Sequence, residues 1–358
     1  MQAKKNIHQS KDESFSIGSH LIGQGNPTFV IGEIAQAHDG SLGTAHAYID
    51  AIAEAGADAI KFQTHFADEE STIDEPFRIK FSKQDATRYD YWKRMEFTRE
   101  QWAGLAEHCK EKGIIFLSTS FSVKAVEILR DIGMSAWKIS SGEVMSKELL
   151  DEMEINGSPI LLSTGMSDFN EIETAVSRIR EKKIPFAIFQ CTTKYPNSLK
   201  EVGLNVIEEL RKRFNCPVGL SDHTGSVFPA LAAIAIGSNL IEVHLTFDKR
   251  MFGPDVISSI TIEELKFIVD AKNAFYKMFN HPVDKNAMAA ELAETKLLFS
   301  KSLAPRIFLS KGTVLQEDML ILKKPGTGIP AQELKNIIGR RLLNNVTPNR
   351  LLKMTDLE

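Results

Sequence analysis

Gly219-Leu-Ser-Asp-His-Thr224 and Leu240-Ile-Glu-Val-His-Leu-Thr246 are short, mainly aliphatic runs, each carrying a histidine at or near its end. Neighbouring parallel strands of this kind deliver two imidazoles, His223 and His244, to the same end of a sheet. Such a pair can hold a divalent metal, whereas either histidine alone is as well explained by a bond to a backbone carbonyl. Asp222 beside the first, and Gly253-Pro-Asp255 after the second, favour a site.

The same unit, a strand-like run with a polar tip followed by a longer amphipathic stretch, repeats from about residue 28 to residue 279. The strand-like runs are Phe29–Ile34, Ala59–Thr64, Ile114–Thr119, Ala136–Ser140, Pro159–Thr164, Phe186–Cys191, Pro217–Ser221 and Leu240–His244. Between and after them, Leu42–Ala55, Arg99–Lys112, Ser122–Ile132, Glu171–Lys182, Val202–Phe214 and Ile262–Phe279 have helical patterning, with Gly56, Gly113 and Gly133 at C-terminal cap positions. Eight such units predict a (β/α)8 TIM barrel, with a doubly wound open sheet as the alternative. Ser14–Pro27, with Gly18 and Gly23 between apolar residues, reads as a hairpin that plugs the bottom of the barrel. Phe66–Phe97 is a long charged and aromatic insertion after the second strand. It is expected as a lid over the active face or a dimer contact, the alternative being a disordered, solvated loop.

The pattern changes after Phe279. Residues 280–298 read as a linker with a short helix, and residues 299–358 as a compact module broken by Lys311-Gly312, Pro325-Gly326, Gly328, Pro330 and Pro348. The expected organisation is a catalytic domain over 1–279, the linker, and the module over 299–358, which is small enough to be marginal alone.

The chain has 358 residues, 43% of them hydrophobic, enough for a large core. Its formal charge of -4 gives no electrostatic footprint for nucleic acid, so an anionic ligand would have to be held by local lysines. Three cysteines without paired spacing argue against a disulfide framework or a structural zinc site and fit a reducing cytoplasm. The polar N-terminal stretch has no apolar leader core and no segment is of membrane-span length, so a soluble cytoplasmic protein is expected, with no membrane partner.

In a barrel, the side chains at strand C-termini face the active site. These are Glu33, Lys61, Gln63, Thr119, Lys138, Ser141, Glu143, Ser163, Thr164, Gln190, Thr193, Tyr195, Ser221, His223 and His244. Lys61 and Gln63 are two apart and point to one face of an extended strand. A lysine inside an apolar strand, as in Ala59-Ile-Lys-Phe-Gln-Thr64 or Ala136-Trp-Lys-Ile-Ser140, is costly unless it meets an anion or carboxylate. Lys61 and Lys138 with Ser141 and Ser163 therefore make a cradle for phosphate and carboxylate. A Schiff-base lysine is the competing use, and spacing leaves it open. The histidine pair favours a metal that polarises a carbonyl. Glu33 and Glu143 either pair with Lys61 and Lys138 as structural ion pairs, or hold sugar hydroxyls and move protons.

Ile31-Gly-Glu-Ile34, Lys61-Phe-Gln-Thr-His65, Phe116-Leu-Ser-Thr119, Lys138-Ile-Ser-Ser-Gly-Glu143, Leu162-Ser-Thr-Gly-Met166, Cys191-Thr-Thr-Lys-Tyr-Pro196, Gly219-Leu-Ser-Asp-His223 and Gly253-Pro-Asp255 together resemble the bacterial sialic acid synthases. The resemblance runs from about Phe29 to the C-terminal end. There, Lys301-Ser-Leu303, Lys311-Gly312 and Lys324-Pro-Gly-Thr-Gly-Ile329 look like the small antifreeze-like (SAF) domain of those enzymes. It implies a metal-dependent condensation of phosphoenolpyruvate with an open-chain N-acetylated amino sugar, giving a nine-carbon 2-keto acid and phosphate. By the same resemblance His223 and His244 bind Mn2+ or Mg2+, and Lys61, Lys138, Ser141, Ser163 and Ser221 hold phosphoenolpyruvate. Glu33, Gln63, Tyr195 and Asp255 surround the sugar, and Glu143 assists the water that adds at C2. The small domain of one subunit covers the barrel of its partner in a domain-swapped homodimer. Two departures bear on the acceptor. Thr193 stands where sialic acid synthases often have asparagine, nearer to the legionaminic acid relatives that use 2,4-diacetamido-6-deoxymannose. Lys324 replaces an arginine that reaches the N-acetyl group across the dimer, with Thr295 in place for the same region, and a lysine lacks the planar guanidinium fork. A metal-dependent barrel hydrolase and a non-catalytic sugar-binding protein are the rival readings. The first needs no lysine pair, and the second no set of Glu33, Lys61, Glu143, His223 and His244.

Overall fold

The computed structural model describes residues 14–358. They form two compact units that divide after Asn280, the second being His281–Glu358. The first unit opens with an antiparallel hairpin, β1 (Phe15–Ile17) and β2 (His20–Ile22). Eight parallel strands then close a barrel: β3 (Phe29–Ala35), β4 (Ala59–Thr64), β5 (Ile115–Ser120), β6 (Trp137–Ile139), β7 (Ile160–Ser163), β8 (Phe186–Cys191), β9 (Val218–Asp222) and β10 (Leu240–His244). Closure comes from β10 pairing with β3, with Leu240 opposite Phe29 and His244 opposite Glu33. The open sheet is thereby excluded.

Helices separate the strands: α1 (Leu42–Ala55), α2 (Ala67–Glu70), α3 (Arg88–Met95), α4 (Arg99–Lys112), α5 (Val123–Ile132), α6 (Lys147–Met153), α7 (Phe169–Glu181), α8 (Leu204–Phe214) and α9 (Phe228–Ala235), with α10 (Ile262–Phe279) after the last strand. Ser41, Thr98, Ser122, Asp168 and Thr261 cap their N-termini through side-chain oxygens. Gly56, Gly113 and Gly133 end α1, α4 and α5 in the left-handed conformation, as their sequence positions predict.

The two-residue alternation of each strand sorts its side chains. Val30, Ile60, Phe62, Trp137, Ile241 and Val243 pack outward into the core shared with the helices. Phe29, Ile31, Ala59, Leu117, Ala136, Leu161, Ala187, Phe189 and Leu240 instead cluster inside the barrel with Phe15, Ile17 and Ile22 of the hairpin. The hairpin thus plugs the N-terminal end. Gly219 allows this layer to close, because a Cβ there would meet the Phe189 ring at 2.7 Å and the Leu240 carbonyl at 2.8 Å. The next inward residues along the strands are charged or polar, so an apolar barrel floor underlies a buried polar layer.

In the second unit α11 (Lys285–Glu291) and α12 (Ala293–Phe299) precede an antiparallel pair, β11 (Ser302–Pro305) and β12 (Leu320–Lys323), and a short α13 (Leu334–Ile337). Its core gathers Leu303, Leu309, Leu315, Leu320, Ile329, Ile337, Leu342, Val346, Leu352 and Leu357.

If the hairpin is part of the barrel core, Ile17→Ala should lower stability by about 2–5 kcal/mol, since it opens a cavity in a close-packed layer. The denaturant midpoint of the purified chain reads this, and an unchanged midpoint would separate the hairpin from the barrel.

Candidate active site

Above the apolar floor lies a buried quartet of charges. Glu33, Lys61, Lys138 and Glu242 come from β3, β4, β6 and β10, each two residues beyond an inward apolar side chain (Ile31, Ala59, Ala136 and Leu240). The Lys61 ammonium contacts Glu33 Oε2, lies 3.9 Å from Glu242 Oε2 and donates to Thr119 Oγ1 at 3.0 Å. Lys138 Nζ donates to Glu242 Oε1 at 2.9 Å, and Ser221 Oγ donates to the same oxygen at 3.0 Å. Gln63 Nε2 donates to Glu33 Oε1 at 3.1 Å. Burial pushes the Glu33 carboxyl up to about 7, with Lys61 opposing and Glu242 adding to the rise. For Glu242 burial also acts upward, but Lys138 and Lys61 outweigh it and hold the carboxyl down at about 2. Lys61 is raised, burial being overcome by Glu242 and Glu33, while burial lowers Lys138 despite its bond to Glu242. Thr119, Ser141, Ser163, Cys191 and Ser221 line the narrow cleft over these charges. Two ammonium groups and several hydroxyls facing one cleft suit an anion with many acceptor oxygens.

The two histidines border the same cleft. His223 follows β9, His244 ends β10, and their ring centroids are 5.1 Å apart. His223 Nδ1 is 3.1 Å from the Thr192 carbonyl, to which it donates, and this leaves Nε2 as the nitrogen with a free lone pair. Burial lowers His223 to about 4 and takes His244 well below its ordinary value, with His223 adding to the latter shift. Both rings are therefore neutral at neutral pH, the form in which imidazole binds a metal. Among the described residues no group of three or more His, Cys, Asp or Glu side chains could hold a metal ion. The neutral pair could supply two nitrogens to a divalent cation, whose remaining positions would be left to oxygen ligands of substrate and water.

Above the histidines the barrel mouth widens into a cavity of ≈ 430 Å³. Gln63, Ser141, Glu143, Thr193, Tyr195, His244 and Asp255 line it from the barrel side. Much of the rest is the insertion, which folds as α2, α3 and a connecting segment and contributes Glu75, Phe77, Arg78, Ile79, Phe81, Arg88, Tyr91 and Trp92. It is an ordered wall of the site, not a solvated loop. Arg78 bonds Asp255 Oδ1 at 3.2 Å, and its guanidinium sits 4.3 Å from the centre of the Tyr195 ring. His65 is sandwiched between Trp92 and Phe121, with ring centroids 4.0 and 4.3 Å away. Its Nδ1 meets Glu70 Oε1 and its Nε2 lies 3.3 Å from Gln63 Oε1. Burial raises the Glu143 and Asp255 carboxyls.

The sequence-derived set therefore divides by height, except that Thr164 and Gln190 line neither space, their side chains donating instead to the Phe189 and Val202 carbonyls. Glu33, Lys61, Lys138, Ser163, Ser221 and His223 lie in the lower cleft, Glu143, Thr193 and Asp255 in the upper cavity, and Gln63, Ser141, Tyr195 and His244 border both. The partner of Lys138 is Glu242 and not Glu143, which corrects half of the ion-pair alternative. Thr295 and Lys324 belong to the second unit, where the Lys324 ammonium lies 5.0 Å from the centre of the Phe299 ring. Glu242, His65 and Arg78 were not singled out by the sequence. Glu242 was readable, being two residues before His244 on the same strand and hence on the same face.

Comparison with known proteins agrees with this architecture. Residues 303–358 match the SAF domain. The chain is 32% identical over 342 residues to the N,N'-diacetyllegionaminic acid synthase of Legionella pneumophila, covering 92% of this chain and 94% of that one. It is 30% identical over 331 residues to the human N-acetylneuraminate-9-phosphate synthase, covering 91% of each. Among solved structures, the N-acetylneuraminic acid (sialic acid) synthetase of Leptospira borgpetersenii serovar Hardjo-bovis, in complex with citrate, superposes with a TM-score of 0.70 at 31% identity, over 81% of this chain and 98% of that one. Residues 48–283 match the NeuB family, and with the barrel, its polar layer and the relatives in accord, the chain belongs to that family of sialic, legionaminic and pseudaminic acid synthase type.

Proposed function

We propose that this chain condenses phosphoenolpyruvate with the open-chain form of an N-acetylated amino sugar. C3 of phosphoenolpyruvate bonds to the aldehyde carbon, the carbonyl oxygen takes a proton, water adds at C2, and phosphate leaves to give a nine-carbon 2-keto acid. The observation that carries this reading is the pair of buried ammonium groups, Lys61 and Lys138, directly beneath two neutral imidazoles in one cleft. A hydrolase needs the imidazoles but not the lysines. A sugar-binding protein needs neither. The acceptor is N-acetylmannosamine, with 2,4-diacetamido-6-deoxymannose as the alternative that Thr193 supports.

Lys61, Lys138, Ser141, Ser163 and Ser221 would hold the carboxylate and phosphate of phosphoenolpyruvate through charge-assisted bonds. His223 and His244 would hold Mn2+ or Mg2+, which supplies a Lewis acid for the sugar carbonyl. Glu33, near neutrality in its titration, can hold or release a proton, with Gln63 bonded to Oε1 and the Lys61 ammonium against Oε2. Glu143 stands in the upper cavity, where it can orient the water for C2. Tyr195 and Asp255 face the sugar end. A homodimer in which Thr295 and Lys324 of one subunit complete the partner's sugar site is part of the same proposal.

Phosphate release from phosphoenolpyruvate should depend on added N-acetylmannosamine or 2,4-diacetamido-6-deoxymannose and on Mn2+ or Mg2+. His223→Ala and His244→Ala should each abolish it while leaving circular dichroism unchanged, and near-normal turnover by either variant in metal-free buffer would dismiss the metal site.

Lys61→Met and Lys138→Met retain most of the apolar stem but not the charge. The Michaelis constant for phosphoenolpyruvate should rise roughly tenfold or more in each, with much less change for the sugar. Borohydride added during turnover should trap no adduct, and a trapped imine on either lysine would replace this mechanism with a Schiff base.

An anion arriving at Lys61 competes with Glu33 for the ammonium and favours protonated Glu33. Phosphoenolpyruvate binding at pH 7 should therefore take up as much as about half a proton, because a group titrating near 7 is half protonated beforehand. Calorimetry in two buffers of different ionisation heat measures this uptake. Glu33→Gln should remove it, and zero uptake by the unmodified protein would contradict the role given to Glu33.

A further inference from the structure

Lys61, Gln63 and His65 occupy alternate positions of one segment, the first two in β4 and the third just beyond its last residue, Thr64. Their side chains climb the inside of the barrel, Lys61 lining the lower cleft, Gln63 both spaces and His65 the upper cavity. His65 is only 5% exposed. Its ring is clamped between Trp92 of α3 and Phe121 beyond β5, at interplanar angles of 18° and 10°. Packing alone would favour phenylalanine at such a position, since a buried ring nitrogen is costly unless it is bonded. Both nitrogens of His65 have partners.

Those partners fix the direction of each bond. Gln63 Oε1 can only accept, so the His65 Nε2 that lies 3.3 Å from it donates. Glu70 Oε1 meets Nδ1, which turns this nitrogen also toward an acceptor. On its other side the Gln63 carboxamide donates from Nε2 to Glu33 Oε1 at 3.1 Å, while the Lys61 ammonium contacts Glu33 Oε2. A chain of bonds therefore runs from α2, in the insertion, through His65 and Gln63 to the buried quartet. Were the amide turned over, its oxygen would face Glu33 Oε1, and its NH2 group would face a ring nitrogen that already carries a hydrogen. His65 and Glu33 together admit one orientation of the amide, and without the His65 donor that selection rests on Glu33 alone.

We propose that His65 is a positioning residue for the condensation: it holds the Gln63 carboxamide with its NH2 group toward Glu33 and so keeps the Glu33 carboxyl pinned at both oxygens, an inference that rests on the reaction proposed above. With Oε1 bound by Gln63 and Oε2 against Lys61, the carboxyl group is held in one plane. A freed amide releases Oε1, the group can then turn about its terminal torsion, and a proton exchange that depends on its direction becomes slower. His65 itself needs no contact with either substrate. Glu70 and Trp92 fix the ring, so the insertion acts on the lower cleft without lining it.

Two substitutions in the full chain separate donor from packing. His65→Phe keeps a ring between Trp92 and Phe121 and removes both donors, whereas His65→Gln loses the stack but can place an amide NH2 group where Nε2 stands. The Phe variant should turn over roughly tenfold to a hundredfold more slowly, as for a misplaced catalytic group, with the Michaelis constant for phosphoenolpyruvate within about twofold. The Gln variant should recover a larger share of kcat, even with the lower melting temperature of the two. Phenylalanine matching or exceeding glutamine in kcat would mean that the ring only packs, and would overturn the proposal. In a Gln63→Met background His65→Phe should cause no further fall in kcat, because His65 acts through the amide, and an added independent loss would overturn that route. A protein that releases no phosphate with either sugar named above would overturn the condensation instead. The bond is then read from denaturant midpoints, where His65→Phe should shift that of Gln63→Met by less than that of the unmodified chain, and equal shifts would overturn the contact between His65 and Gln63.

Discussion

Four buried charges at mid-height in the barrel impose the constraint around which the first unit is organised. Removing two ammonium and two carboxylate groups from water is expensive, and only mutual pairing with additional hydrogen bonds makes it tolerable. Glu33 with Lys61, and Lys138 with Glu242, meet that condition because β3, β4, β6 and β10 project their inward residues at the same height in a closed sheet. The floor must be apolar and sealed for the same reason. Phe15, Ile17 and Ile22 of the hairpin pack against the inward apolar layer and close off the N-terminal end of the barrel beneath the charges.

Charge balance in the quartet also bears on the lysines' chemistry. A Schiff-base lysine must lose its proton to attack a carbonyl. Lys61 is held protonated by Glu242 and Glu33 against the effect of burial. Burial moves Lys138 the other way, but its proton bridges to Glu242, and losing it would leave that carboxylate facing only the more distant Lys61. An entering anion adds negative charge and reinforces both ammonium groups. The lysines are consequently better suited to holding phosphate and carboxylate oxygens than to forming a covalent bond, while Glu33, pushed up to about 7, is poised to exchange a proton.

The sequence made the barrel legible because its signals were local. Short, mainly aliphatic runs set β4, β8 and β10 to the residue, and glycine caps fixed the ends of α1, α4 and α5. Lys61 and Lys138 announced a polar layer by being lysines in otherwise apolar strands. Their partners were harder to assign, since Lys138 and Glu242 are 104 residues apart and only barrel closure makes them neighbours. Glu242 lies one inward position below the strand tip His244, so its place in the polar layer depends on strand parity and not on a terminal position. The insertion gave no periodicity from which to read Arg78 on Asp255 or His65 between two aromatic rings, contacts that depend on how the segment folds back over the mouth.

Lower and upper layers therefore answer to different physics. The lower one is built on strands, with paired charges whose geometry is set by barrel closure, and a substitution there leaves a buried charge unpaired. The upper one is built after the strands end, from Thr193, Tyr195, Asp255 and the insertion, where neutral groups can be exchanged without upsetting any ion pair. Of the charged pairs in the wall, Arg78 with Asp255 is partly exposed, so solvent screening makes it cheap to open. An enzyme arranged in this way can keep one bond-forming chemistry in the cleft while its acceptor changes through the wall. Under the proposed reaction, a wall group whose hydrogen-bonding capacity the folded chain leaves unspent is better placed to distinguish one sugar from another than a group already satisfied by the protein.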